Sequence, residues 1–352
     1  MNAGTGVLVV SLGTTLGWRL ADEVFLSQLE RAGVSAAAVS MRFGAAGRLR
    51  RGYPLNDFVE MHAARRAIIA AVRERRPRAL VLSSTTAAML APRLDVPYAV
   101  RLDAPAAMNR PGALCAPVRA LERRGLGRAR LTLPMSEAAR AALPAEAAPS
   151  LVVPPPVEPS GRAGPDARER LAVAYVPDPK AKGLDVLAAA WGGAGLTDAT
   201  LEVYGLDPGW ARSFLADAGL AEPPGMRLLG TVPRERFRAR VREAHAYVCG
   251  ARWEDFGQAP LEALADGALL VTVPSGGPFE ALRLARELDG SLVAPAIEPD
   301  GLAAAIRAAL ELPGERVRAY RARALELLAP LRAEAVQATV TRELVPALLA
   351  SA

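Results

Sequence analysis

The chain has 352 residues, of which 51% are hydrophobic and 23% charged, with a formal net charge of +6. That length suits two domains that each bury a core, and the apolar fraction excludes a disordered chain. Gly 30 and Pro 29 follow no collagen-like period. The start, MNAGTGVLVVSLG, lacks the basic region of a signal peptide, and no run approaches the ~20 apolar residues of a membrane helix. A cytoplasmic protein is expected. Cys115 and Cys249 are too few and too far apart for a disulfide framework or a metal knuckle.

Short apolar runs alternate with helical patterns along the chain. GVLVVSL (6–12) reads as a strand, followed by an amphipathic stretch over about 16–32. VSAAAVSM (34–41), an Arg-rich helix over about 55–76, ALVLSS (79–84), YAVRLD (98–103), LTLPMS (131–136) and SLVVPPPV (150–157) continue the series. After a proline-rich linker at 154–164 the alternation restarts with LAVAYVP (171–177), LEVYGL (201–206), MRLLGTV (226–232), AYVCGA (246–251), ALLVTVP (268–274) and SLVAP (291–295). Helical stretches from 302 onward close the chain. Strands this apolar, separated by helices, predict parallel sheets covered on both faces. The architecture expected is α/β: two tandem doubly wound, Rossmann-like domains with an interdomain cleft. Residues 1–157 form the first and 158–330 the second. A terminal helix over 331–352 is expected to return to the first domain. Such sheets bind ligands at the carboxyl ends of their strands.

Charge is distributed unevenly. Residues 1–157 hold 21 Arg against 11 Asp and Glu, a balance of +10; the remaining 22 basic and 26 acidic residues give −4. The basic half, with Arg48, Arg50, Arg51, Arg65 and Arg66, reads either as a solvated Arg-rich face or as a surface that meets anions, acidic lipid headgroups among them. No aromatic stacking platform or reading motif accompanies it, so no nucleic acid is expected. Of 43 basic residues only Lys180 and Lys182 are lysines, side by side in PDPKAKGLDVL. Arg replaces Lys freely on a solvated surface but not where a compact point charge on a thin stem is required.

Three segments could carry chemistry. GTTLGW (13–18) follows the first strand and could turn backbone N–H groups, with Gly13 and Thr14, toward an anion; an ordinary tight turn explains it equally. Lys180-Ala-Lys-Gly-Leu-Asp185 lies between a strand and a helix, where an ammonium could neutralise a diphosphate; a solvated loop is the alternative. The most specific is Arg252-Trp-Glu-Asp-Phe-Gly-Gln-Ala-Pro-Leu-Glu262. If Phe256–Gly257 turns into a helix, Glu254 precedes its N-terminus and Glu262 lies about 7.5 Å along its axis. Both carboxylates could then face one pocket, with the N–H groups of Gly257 and Gln258 between them. Amides for anionic oxygen beside carboxylates for hydroxyls suit a phosphorylated sugar ligand. A first-turn acid and an exposed helical Glu would give the same spacing.

WEDFGQAPLEALADGALLVTVPSGGPFEAL (253–282) resembles the signature of group 1 retaining glycosyltransferases with the GT-B fold. Glu254, Phe256, Gly257, Glu262, Ala263, Gly267 and the Gly276-Gly277 turn fall in place. KGLDVL, VYGLDP, LLGTVPRERF, LPMSEAARAAL and VVPPPVEP resemble further segments of that family. The resemblance implies transfer of a sugar from a nucleotide-sugar with retained anomeric configuration, the nucleotide-sugar being substrate and no cofactor or metal being needed. Carried over by position, it implies that Lys182 binds the diphosphate and that Glu254 contacts the donor sugar near the reacting carbon. Glu262 would hold the ribose, Phe256, Gly257 and Gln258 would touch sugar or phosphate, Thr231 and Val232 would lie along the base, and Gly13 and Thr14 would border the phosphates.

Two positions depart from the family pattern. Val176-Pro177 stands where an arginine is common, which leaves Lys180 as a second positive charge. Arg101-Leu-Asp103 stands where many members carry a histidine, which makes Asp103 or Arg101 the candidate for positioning the sugar. His62 and His245 lie elsewhere and read as structural. The acceptor is unidentified; the basic half is compatible with an anionic or lipid-linked one at the inner membrane face. A non-catalytic GT-B protein that binds a nucleotide or glycan, or scaffolds a partner, is the alternative reading.

Overall fold

The computed structural model describes residues 6–11, 16–41, 55–93, 95–161 and 170–350, without the side chains of 16–18. The chain divides into two units, residues 1–156 with 333–352, and residues 157–332.

The first unit is built on a five-stranded sheet of β1 (Val7–Ser11), β2 (Ala36–Ser40), β3 (Ala79–Leu82), β4 (Tyr98–Leu102) and β5 (Leu131–Pro134). All pairings are parallel, in the order β2-β1-β3-β4-β5. The side chains of β1 alternate between two cores, as the period of two in a strand requires. Leu8 and Val10 join Leu80, Leu82, Val100 and Ile68, the last from the helix Leu55–Arg75. Val7 and Val9 join Phe25 and Leu29 of the helix Leu16–Arg31 on the other face. Val336, Val340, Leu344 and Leu348 complete that second core. Their spacing of four lays one apolar stripe along the C-terminal helical segments, which accounts for their return to this unit.

The second unit carries β6 (Leu171–Tyr175), β7 (Thr200–Tyr204), β8 (Met226–Gly230), β9 (Ala246–Cys249) and β10 (Leu269–Thr272). These are also all parallel, in the order β10-β9-β6-β7-β8. The chain proceeds outward from β6 through β7 and β8, then crosses back so that β9 lies on the other side of β6. Loops leaving β6 and β9 therefore diverge at a topological switch point, where doubly wound sheets open a crevice for ligands.

Two expected strands are absent. Segment 150–157 makes one isolated bridge, Ser150 to Thr132, because Pro154, Pro155 and Pro156 offer no N–H to a ladder. In 291–295 the chain forms a 3-10 turn over Gly290–Leu292, with a lone bridge from Val293 to Thr272. Each sheet thus has five strands rather than six. Among the described residues no helix is long and apolar enough to cross a membrane.

Candidate active site

The loop after β6 is folded by Asp178, whose Oδ1 accepts from the Ala181 N–H at 2.7 Å while its carbonyl accepts from the Lys182 N–H at 3.0 Å. Gly183 ends the loop at φ +65°. A Cβ at that position would stand 2.0 Å from the Gly250 carbonyl oxygen, so the loop approaches the end of β9 at a distance only glycine permits. Arg252 fastens the same junction. Its N–H donates to the Ala181 carbonyl at 2.9 Å, and its guanidinium forks onto Asp185 Oδ1 and Oδ2 at 2.9 and 2.5 Å. The Arg252 hydrogen bonds hold the Asp185 carboxyl below the ordinary carboxylate range.

These contacts bring Lys182, after β6, against Glu254, after β9: Nζ and Oε1 are 2.8 Å apart, with the side chains 25% and 13% exposed. Burial pushes the Glu254 carboxyl above its ordinary range, and the Lys182 ammonium pulls it part of the way back. The Glu254 backbone is held by the Gly276-Gly277 turn. Its N–H donates to the Gly276 carbonyl at 3.0 Å, and a Cβ on Gly277 (φ +96°) would lie 2.1 Å from the Glu254 carbonyl oxygen. Trp253 lies against Gly276, with its indole N–H donated to Asp255 Oδ1 at 2.8 Å. An ammonium and a carboxylate held this way offer one group to anionic oxygen and one to hydroxyls.

Gly257, at φ +81°, opens the helix Gln258–Ala265, and buried Phe256 precedes it. Glu262 is the fifth residue of that helix. Its Oε1 accepts from Arg234 at 2.6 Å and from Gln258 Nε2 at 2.9 Å, and Oε2 pairs with Arg238 at 2.8 Å. Buried Arg238 also grips Asp266 at 2.6 Å. Thr231 is exposed and Val232 half-buried, following Gly230 at the end of β8; Lys180 is exposed and gives its carbonyl to Arg252 at 3.0 Å. Gly13 and Thr14 lie outside the described residues, as do Arg48, Arg50 and Arg51.

The spacing of Glu254 and Glu262 suggests two carboxylates open to one pocket; instead each has a cationic partner. Arg234 and Arg238 escaped the sequence reading, although a signal exists. They stand four apart on one helix and meet Glu262 and Asp266, four apart on another stretch, so two complementary rows face each other. Arg252 and Asp185 are 67 positions apart, and nothing local pairs them.

In the first unit Asp103 follows β4, half-buried, with Oδ1 accepting from the Ala104 N–H at 2.7 Å. The next turn is fixed by Glu122, both of whose oxygens accept from the Ala106 N–H at 2.9 Å. Arg101 is spent on a buried ion pair. It is 2% exposed, 2.9 Å from Asp22 Oδ1 and 4.9 Å over the Phe25 ring, and Asp22 also accepts from Ser83 at 2.9 Å and from Ser11. Buried Asp22 requires this countercharge. His62 Nδ1 lies 2.8 Å from the Phe58 carbonyl and His245 Nε2 3.0 Å from that of Ala309. Both cysteines are buried and free, and burial pushes the Cys249 thiol up to about 12.

Residues 169–325 match the family of glycosyl transferases group 1. This part of the chain is similar to that family. The matched segment contains Lys182, Glu254 and Glu262. Solved structures match over both units. A sucrose-phosphate synthase from Thermosynechococcus elongatus aligns with 16% identity over 99% of this chain and 100% of its own, at a TM-score of 0.77. A glycosyltransferase from Rickettsia africae aligns with 12% identity over 99% and 100%, at 0.73. HepE of Anabaena, solved in complex with UDP and glucose, aligns with 12% identity over 97% and 99%, at 0.70. The fold is GT-B. Curated protein sequences give no match.

Proposed function

We propose that the chain transfers a sugar from a nucleotide-sugar to an acceptor, with the donor held by the second unit. The observation that carries this reading is the Lys182–Glu254 pair astride the β6/β9 switch point. A nucleoside diphosphate leaves as an anion, and its departure is eased by a cation fixed in advance. Lys182 serves as that cation, with exposed Lys180 as a second charge. Glu254 accepts from donor-sugar hydroxyls, Glu262 from the ribose, and the backbone at Phe256, Gly257 and Gln258 meets sugar or phosphate. Thr231 and Val232 lie along the base. In the first unit Arg101 is already committed to Asp22, which leaves Asp103 as that unit's candidate for meeting a sugar.

The family resemblance supports retention of configuration. The acceptor oxygen then bonds to the anomeric carbon on the face the phosphate leaves. The carbon–oxygen bond to phosphate breaks with its electron pair on the phosphate, which takes the acceptor's proton. The arginine-rich first half is compatible with an anionic or lipid-linked acceptor at a membrane surface, and no metal is assigned a role.

A non-catalytic nucleotide- or glycan-binding protein is the second reading, favoured by the burial of Arg101 where a sugar-facing side chain is wanted. Nucleoside diphosphate release from UDP-, GDP-, ADP- and dTDP-glucose, with and without candidate acceptors, separates the two. The enzyme releases the nucleoside diphosphate from one of them, and Glu254→Gln or Asp103→Ala slows it by about tenfold or more. Equal rates in wild type and both variants contradict the assigned roles, and no release from any donor favours the binder.

A further inference from the structure

Glu262 already has three cationic or amide contacts on its two oxygens without any ligand, two of them on Oε1. A carboxylate oxygen has two lone pairs, and Oε1 already accepts from both Arg234 and Gln258. Its three partners are unequal. Arg238 is 5% exposed and bridges Oε2 to Asp266, so moving it would take a buried cation from two buried carboxylates at once. Gln258 sits one helical turn from Glu262 on the same helix. Arg234 is 63% exposed, at the first position of the helix Arg234–Glu243, and swings into water with its charge still solvated. The four charges balance only together: Arg238 stands between Glu262 and Asp266, and Arg234 adds the second positive charge from the surface.

We infer that Arg234 is a displaceable countercation that competes with the donor's ribose hydroxyls for Oε1 of Glu262. The inference rests on the reading above that Glu262 takes the ribose. A diol entering the site donates two hydrogen bonds to Glu262 and needs the lone pair Arg234 occupies. Arg238 stays and keeps the carboxylate oriented. Donor affinity is therefore set partly by an ion pair that contains no donor atom, and this pair weakens as salt rises.

The test is isothermal titration of wild type, Arg234→Gln and Glu262→Gln with UDP, GDP and ADP and with uridine, guanosine and adenosine, at about 50 and 300 mM KCl. Nucleosides lack phosphate, so their salt response isolates the competing pair. Arg234→Gln tightens binding of the preferred nucleoside by about two- to fivefold at low salt, the range expected from losing a surface-exposed partner. Wild-type nucleoside affinity rises with salt, and that of Arg234→Gln does not. Unchanged or weaker binding by Arg234→Gln overturns the inference, the weaker case making Arg234 a donor ligand itself. If Glu262→Gln binds like wild type, the ribose assignment fails and the inference with it. Absence of binding in every protein overturns the donor site as a whole.

Discussion

Replacing Lys182 by Met leaves the Glu254 carboxylate beside a hydrocarbon chain where an ammonium stood 2.8 Å away. Fully exposed pairs are worth less than about 1 kcal/mol, and stranding one half of a deeply buried pair costs about 3–5 kcal/mol. With side chains 25% and 13% exposed, this pair lies between those limits, so a loss of about 2 kcal/mol is expected at pH 8. In a domain of this size that lowers Tm by about 4–8 °C.

The pH dependence gives the sharper test. Burial raises the Glu254 carboxyl in the folded protein, so the folded chain binds a proton more tightly than the unfolded one. Stability therefore falls as pH rises from the ordinary carboxylate value through the raised one. Removing Lys182 removes the influence that holds the carboxyl down, and the window extends upward. The deficit of Lys182→Met is largest at pH 8, shrinks toward pH 5 and vanishes where Glu254 is protonated in both states. Scanning calorimetry from pH 5 to 8 reads this directly, and Lys182→Met with Glu254→Gln recovers most of the loss. A deficit independent of pH, or costs of the two changes that simply add, would refute the coupling.

Two further outcomes follow from the backbone and from the first unit. Gly277→Ala forces a Cβ to within 2.1 Å of the Glu254 carbonyl at φ +96°, whereas Gly219→Ala, at φ +72°, meets nothing within 4 Å. The second costs about 1–2 kcal/mol for its left-handed backbone alone, and the first costs clearly more and weakens nucleotide binding; equal losses in urea unfolding would contradict the close approach. Arg101→Met leaves Asp22 buried without its cation and costs about 3–5 kcal/mol by the same assay, and a loss below about 1 kcal/mol would show that Asp22 has another counterion.

The strands were legible because their side chains obey a period of two against two covered faces, as Val7 and Val9 against Leu8 and Val10 show. The Glu254–Glu262 segment was legible because its chemistry is local: a turn, a helix start and a carboxylate on each side. The partners of those carboxylates were not. Gly183 meets Gly250 and Arg252 meets Asp185 only after β6 and β9 become neighbours, and that adjacency is a property of the sheet order. Rarity singled out Lys180 and Lys182 together, yet the turn at Asp178 buries one against Glu254 and leaves the other in water. Arg101 read as a candidate at a strand end because sequence does not reveal Asp22 on the neighbouring helix. At 150–157 the apolar run was outweighed by three prolines.

The proposed function rests on a nucleoside diphosphate held on Lys182 in the second unit. Thermal denaturation of wild type and Lys182→Ala with UDP, GDP, ADP, CDP and dTDP tests it most directly. A ligand at a hundred times its dissociation constant stabilises by about 2.7 kcal/mol, several degrees in Tm. One of these nucleotides shifts the Tm of the wild type, and Lys182→Ala loses that shift. A shift of equal size in both proteins, or no shift with any of the five, would contradict it.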